Sequence, residues 1–317
     1  MFRRIWQTIL VAMATSGWWQ KRMQSSRKAS ELAKRYVRGS NTEEAGLVAA
    51  QLAAEGITSS LFYLGEYVDT EELVAENMAA KLTIVKTLAG KQLEIHVSLD
   101  PTQLGSALSW VKGAENVARV AQDITALAKG GDRDCAMLDM EDYSVNLATI
   151  ELHDNLKQQK LRVGLTLQAY LKKTYADMEK KIAEGAMVRL VKGAFPAGSD
   201  VAYQSTADIK ANYVRLIDLM LSKKARKTGF YPVFATHDHK LHAYAIEVAL
   251  ANGWLQGSYE FEMLYGARDN VARQLAAAGE SIRLYLPFGS DWWPYAVRRI
   301  GENPRGAMLL LRSLFKD

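Results

Sequence analysis

Arg298 and Arg299 stand side by side in the stretch "YLPFGSDWWPYAVRRIGE", Tyr285 to Glu302. Neighbours on a helix point about 100° apart, so two adjacent guanidiniums cannot share one solvent direction. Both can nevertheless converge on a ligand held above the helix. The planar fork of arginine matches a carboxylate in two-point contact, which makes a small carboxylate the natural guest. Tyr295 lies three and four positions before the pair and Glu302 three and four after, where it could hold one arginine in place. Taken alone, the same spacing also describes a salt-bridged surface helix.

Three further stretches carry reactive side chains. In "MVRLVKGAF", Arg189 and Lys192 interrupt an apolar run of the kind that forms a buried parallel strand. A buried arginine without a partner is costly, so Arg189 is expected to meet an anionic or hydrogen-bond-accepting ligand. Gly193 lets a backbone approach closely. In "FATHDH", His237 and His239 alternate across an extended segment and face opposite sides, and neither a His-Glu-x-x-His pattern nor a cysteine ligand accompanies them. No metal is expected there, and Thr236 with His237 could hydrogen-bond or stack on a heteroaromatic ligand. In "LDMED", Asp139, Glu141 and Asp142 gather at a strand end. Paired carboxylates are the pattern of a retaining glycosidase, but Arg189, Lys192, Arg298 and Arg299 indicate an anionic ligand rather than a neutral sugar.

These residues need elements to position them. Eight apolar runs, "SLFYLGEYV", "LEIHVSL", "CAMLDME", "RVGLTLQAYL", "MVRLVKGAF", "YPVFATHD", "SYEFEMLYG" and "SIRLYLPFG", are each followed by a segment of helical spacing. Eight strand-then-helix units predict a (β/α)₈ TIM-like barrel, distorted, in the α/β class, rather than an open doubly wound sheet, which would call for a Gly-x-Gly-x-x-Gly turn. Glu66, Asp139, Glu141, Gln168, Lys192, His237, Asp238 and Asp291 fall at or just after the C-terminal ends of those runs, the rim where barrels place their chemistry. An N-terminal helical arm is expected over 1–58 and the catalytic barrel over 59–317.

Composition narrows the class. The 317 residues carry a formal charge of +5 and are 49% hydrophobic, ordinary for a globular chain. Charges of both signs are interspersed, and no basic block interleaved with aromatics suggests nucleic acid. The single cysteine, Cys135, excludes an intrachain disulfide and is expected to be a buried structural thiol. The opening "MFRRIWQTILVAMATSGWW" begins like a secretory signal, but Gln7 and Thr8 interrupt its apolar run and Trp18-Trp19 replace a small-residue cleavage site, which favours an amphipathic helix. No stretch is long enough for a transmembrane helix.

In order along the chain, "LGE", "DMED", "LQAYL", "VRLVKGAF", "FATHD", "FEMLYG" and "LPFGSDWWPYAVRRIGE" resemble the proline dehydrogenase family, from about Leu61 to the end. The resemblance implies a stand-alone, bacterial-type flavoenzyme that binds FAD non-covalently at the strand C-termini. It implies oxidation of L-proline to Δ1-pyrroline-5-carboxylate by hydride transfer to flavin N5, the first step of proline catabolism. Arg298 and Arg299 would hold the substrate carboxylate, braced by Glu302. Tyr285 and Tyr295 would pack on the substrate ring, with Leu190 beneath it. Arg189 would approach flavin N5, and Asp139 matches an aspartate of the family's third strand. Gln168 would contact the flavin, Lys192 and Gly193 its phosphate-ribose region, and Thr236 and His237 its adenine end. A quinone as electron acceptor is implied, and with it a cytoplasmic location with peripheral contact to the inner face of the membrane.

Two positions depart from the family pattern. Its second strand ends like Ser-Leu-Lys-Leu-Thr-Gln-Leu-Gly, whereas "VSLDPTQLG" puts Asp100 at the lysine. Unit charges about 4 Å apart at an effective dielectric near 20 interact by roughly 4 kcal/mol, so Asp100 would turn an attraction for the carboxylate into a repulsion. Either Asp100 pairs with Arg298, Arg299 or Arg189, or the substrate is a proline analogue or another cyclic amino acid with an extra cationic group. His96 is a second candidate cation. Phe195 stands where the family has tyrosine, and Pro196 after it alters the loop. Tyr285 would crowd a 4-substituent and so favours an unsubstituted ring. A non-catalytic flavin-binding relative is the alternative from another class.

Overall fold

The structure, a computed structural model, describes residues 37, 39–65, 68–129, 133–293 and 295. The first part of the N-terminal arm, Glu66, Arg298, Arg299 and Glu302 lie outside the described residues. Eight parallel strands close into a barrel in chain order, with the last pairing to the first. They are β1 (Thr58–Tyr63), β2 (His96–Leu99), β3 (Cys135–Leu138), β4 (Val163–Gln168), β5 (Met187–Val191), β6 (Tyr231–Ala235), β7 (Glu260–Leu264) and β8 (Ile282–Phe288). Helix α1 (Thr42–Ala54) precedes β1. Helices α2 (Glu71–Gly90), α3 (Trp110–Leu127), α4 (Tyr143–Gln158), α5 (Thr174–Ala183), α6 (Thr206–Met220), α7 (His239–Ala251) and α8 (Asp269–Ala277) follow β1 to β7 in turn.

All eight expected strands are present, several shorter than their apolar runs. The run from Arg162 to Leu171 forms β4 only as far as Gln168, because the Leu171 amide turns back to the Gln168 carbonyl. Its last apolar residues serve a separate cluster of Tyr170, Leu171 and Ala202. Helix starts follow local chemistry: Asn41, Thr70, Ser109, Asp142, Ser205 and Asp238 each accept a first-turn amide and cap α1, α2, α3, α4, α6 and α7.

Although α1 belongs to the stretch expected as an arm, it is part of the barrel's packing. Ala45, Ala49 and Leu52 join the main core with Leu61, Leu88 and Leu284. Close approach to α2 requires Gly46, since a Cβ there would lie 2.6 Å from Thr87 Cγ2. The Gly289 amide donates to the Gly39 carbonyl at 3.0 Å and ties the segment before α1 to the end of β8.

The ladder is uneven. Strand β1 runs beside β8 in register from Thr58↔Arg283 to Tyr63↔Phe288, but beside β2 it pairs only at Leu61↔Val97. The β1–β2 ladder is therefore the shorter of the two that β1 makes, with Ser60 and Ser98 hydrogen-bonded across it at 3.1 Å. Strand alternation sets which side chains enter the barrel. Ser60, Ser98, Arg189 and Glu262 meet one another inside, so His96, Phe62, Thr166, Gln168, Glu260, Arg283 and Tyr285 share their face by parity. The interior is thus filled with polar layers rather than left open.

Candidate active site

Arg189 is the hub. It is 2% exposed, and its five N–H donors are all engaged. Nε and Nη2 donate to Glu262 at 2.8 and 2.9 Å in a two-point contact, and Nη1 donates to Asp139 and Ser98. Nη2 also reaches Ser60 at 3.1 Å. Burial opposes the charge, but Glu262 and Asp139 outweigh it and hold the guanidinium above its ordinary pKa. The expectation that a buried Arg189 must meet an anionic ligand is answered by these two carboxylates, which come from β7 and from the end of β3. Burial in turn pushes the Glu262 carboxyl up from its usual range, against the pull of Arg189.

Asp139 links this layer to the mouth of the barrel. It accepts from Arg189, from Thr166 Oγ1 at 3.1 Å and from the Tyr285 hydroxyl at 3.1 Å. The Arg189 guanidinium lies 5.4 Å from the Tyr285 ring centroid, and the Phe62 ring packs 5.4 Å from Tyr285 on another side. Burial, then Asp139 and Asp100, push the Tyr285 phenol well above its ordinary value. Tyr295 is buried in a small cluster with Val37, Phe62 and Leu64, against which Tyr285 and Trp292 pack. The structure therefore brings Arg189, Asp139, Tyr285 and Tyr295 together around the β1, β3, β5 and β8 ends.

The remaining candidates divide. Gln168 ends β4 and donates through Nε2 to the Met140 and Glu141 carbonyls at 3.0 and 3.1 Å, while its Oε1 is buried without a hydrogen bond. Lys192 is exposed beside Gly193, where a φ of +89° and a Cβ position only 2.2 Å from Tyr170 Cδ1 would admit no side chain. The Thr236 hydroxyl accepts from the Asp238 amide, and His237 Nε2 accepts from the Leu264 amide at 3.0 Å, which holds both at the ends of β6 and β7. Leu190 is fully buried and lies opposite Arg189 by strand parity, and its carbonyl accepts from Tyr213 on α6. It is not brought into the inward-facing group. Phe195 is 42% exposed on the loop after β5.

The three acids of "LDMED" separate into different roles. Asp139 faces inward. Glu141 accepts from the Thr102 amide and hydroxyl, and Asp142 caps α4. Burial raises the Glu141 carboxyl. His96 is no cation: it shares a hydrogen bond with Ser60 at 2.9 Å, and burial with Arg283 and Arg189 holds it well below its ordinary value. Cys135 is buried, and burial pushes its thiol up to about 12, which leaves it unreactive. Among the described residues, no group of three His, Cys, Asp or Glu could hold a metal ion, and no helix is long and apolar enough to cross a membrane.

Residues 47–308 match the family model described as proline dehydrogenase. The chain belongs to the proline dehydrogenase family. Among its relatives, proline dehydrogenase of Deinococcus radiodurans is 33% identical over 293 residues, 91% of this chain and 92% of that one. Proline dehydrogenase 2 of Bacillus subtilis is 30% identical over 266 residues, 84% of each chain. Two solved structures of proline utilization A share the fold. That from Bdellovibrio bacteriovorus, inactivated by N-propargylglycine, has a TM-score of 0.74 at 24% identity and covers 87% of this chain. That from Corynebacterium freiburgense has a TM-score of 0.72 at 21% identity and covers 95% of it. The chain spans about a third of the length of each (33%). At these identities the likeness establishes the barrel, and the family assignment rests on the family model and the curated relatives.

Sequence reasoning missed two members of the site. Glu262 was legible in principle, because "EFEML" places acids at alternate positions of a buried strand. Lys81 was also legible, because it occupies the buried stripe of α2 formed by Val74, Asn77, Ile84, Val85 and Leu88.

Proposed function

We propose that this member of the proline dehydrogenase family oxidises L-proline to Δ1-pyrroline-5-carboxylate with FAD as its bound cofactor and a quinone as electron acceptor. The observation that carries the proposal is the network of buried Arg189 with half-buried Asp139 and Tyr285, which builds a polarised floor and an aromatic wall at the mouth of a barrel of this family. The residues present fit a flavin nucleotide. Gln168 Oε1 and the Tyr170 hydroxyl are buried polar atoms without a hydrogen bond among the described residues, suited to the edge of a heteroaromatic ring. Gly193 gives close backbone approach, and exposed Lys192 beside it suits a phosphate. When bound, the flavin supplies the two-electron chemistry, accepting hydride at N5 from the ring carbon next to the proline nitrogen.

The chain's own residues supply orientation and electrostatics. Arg298 and Arg299 hold the substrate carboxylate, with Glu302 bracing them. Tyr285 and Tyr295 lie against the ring and exclude water. Asp139 fixes the Tyr285 hydroxyl, and the high pKa of that phenol keeps it protonated across the working range. Arg189 places fixed positive charge beneath the mouth without any reorganisation during the reaction. Because its donors are already committed, a new acceptor above it must displace a serine or share the Asp139 contact.

Anaerobic addition of L-proline to the purified holoprotein tests this proposal. Loss of the visible flavin absorbance, with formation of the cyclic imine, is the expected result. A protein that neither carries nor takes up FAD would overturn it. One observation favours a second reading: Asp100, which follows β2 and continues the parity of inward-facing Ser98, would suit a proline analogue with an added cationic group. That reading predicts bleaching by the analogue and none by proline.

A further inference from the structure

The Asn77 side chain is only half satisfied. Asn77 belongs to the buried stripe of α2 and is 2% exposed. Its Nδ2 donates to the Leu73 carbonyl one turn earlier at 2.9 Å, while its Oδ1 is buried without a hydrogen bond among the described residues. The helix gains little from this residue, because a short polar side chain competes with the backbone for hydrogen bonds. A buried carbonyl oxygen without a donor is costly and calls for a guest. Gly65 makes room for that oxygen: a Cβ there would lie 2.2 Å from Asn77 Oδ1.

Asn77 lines a cavity of about 170 Å³ at the C-terminal rim, between the end of β1, the first half of α2 and the segment after β8. The other polar side chains of its wall are Tyr63, Glu76, Ser290 and Asp291, and none of the residues lining it is cationic. The Tyr63 hydroxyl donates to Glu76 Oε1 at 3.0 Å, so its proton is spent within the protein, as are those of Asn77 Nδ2 on the helix side. Burial, then Glu76 and Asp291, push the Tyr63 phenol up to about 12, which marks the cavity as electronegative. An anion would be repelled from such a wall. Oxygen ligands that include two carboxylates suit a hard divalent cation.

We propose that Asn77 Oδ1 and the Glu76 and Asp291 carboxylates bind a hard divalent cation of the calcium or magnesium class, with water completing its shell. The site holds two carboxylates and an amide oxygen in place of a third acid. Its ligands come from α2 and from the segment after β8 that leads to Tyr295 of the aromatic wall, so the bound ion clips that segment to the helix layer. The inference goes beyond the oxidation reading and uses none of the residues assigned to flavin or substrate.

Calorimetric titration of the chelator-treated holoprotein with CaCl2 and with MgCl2, at constant ionic strength, tests the proposal. Saturable binding of either ion, with a rise in melting temperature, is the expected result. Glu76→Gln and Asp291→Asn should each weaken binding about tenfold. Asn77→Leu should lose the ion-dependent rise in melting temperature, and a rise as large as that of the wild type would overturn the proposal. If Asn77→Leu does not fold, Glu76→Gln decides, because Glu76 is exposed and its removal leaves the core intact. No saturable heat with either ion would mean that water alone fills the cavity, which overturns the proposal. Binding unaltered in both carboxylate variants would place the ion elsewhere and overturn it as well. None of these outcomes bears on the oxidation reading, which is tested by flavin bleaching.

Discussion

Every N–H of Arg189 has an acceptor, and this sets what substitution there would do. Its two-point contact with Glu262 is 2% exposed on both sides. Removing one partner of such a pair strands a buried charge, at a cost of about 3–5 kcal/mol. Glu262→Ala should lower unfolding free energy by about that amount, whereas Glu262→Gln, which keeps one acceptor for Arg189, should lose less. Urea denaturation of both variants checks the order, and equal losses would mean that shape rather than charge is at stake. A second prediction concerns Gly193. At φ +89°, with a Cβ position 2.2 Å from the Tyr170 ring, Gly193→Ala must move either the loop or the ring. The strain is about 1–3 kcal/mol, and it falls on the residues proposed to cradle the cofactor. Flavin content per purified chain should therefore drop more than the melting temperature would suggest, and unchanged content would remove Gly193 from the cradle.

At the scale of elements, the eight strand–helix units were legible because parallel strands buried on both faces read as continuous apolar runs and each ends at a polar residue. The strand ends were less legible. Tyr170 and Leu171 are as apolar as the strand before them, yet turn away to pack with Ala202. Asp139 and Tyr285 could be placed at strand ends from their position alone, but nothing local reveals that they touch across 146 residues of chain. Lys81 could be read as part of the buried stripe of α2, but its hydrogen bonds to Gln103 and the Ser98 carbonyl belong to tertiary packing that nothing local reveals. The role of α1 was also underestimated. Its composition marks an amphipathic helix, but only packing shows Ala45, Ala49 and Leu52 inside the main core. Leu52→Ala should cost about 2–5 kcal/mol, as for a core leucine of the barrel itself. A thermal-unfolding loss as small as that of an exposed leucine such as Leu255 would mean that α1 is a detachable arm after all.

Across the whole molecule, three histidines are buried far apart: His96 inside the barrel, His153 on α4 and His242 on α7. Burial lowers all three from the ordinary 6.5, with Arg283 and Arg189 adding to the effect at His96. Unfolding restores their proton affinity, so the unfolded chain binds more protons below that pH. The stability they contribute is present above pH 6.5 and is lost as pH falls through it toward their folded values. Each can contribute up to about 1.4 kcal/mol per pH unit, or about 4 kcal/mol per unit for the three together. Glu262 and Glu141 act in the opposite sense, because burial raises them and the native state takes up their protons first. Their window lies between the ordinary 4.5 and their raised values, so it offsets the lower part of the decline. Stability measured by urea denaturation should therefore fall steeply as pH drops below about 6.5, well before ordinary carboxylates titrate. Replacing His153 and His242 together by glutamine should reduce that slope to about a third, leaving the His96 contribution. A slope unchanged by the two substitutions would mean that His153 and His242 do not carry the acid sensitivity, and would leave His96 inside the barrel as its source.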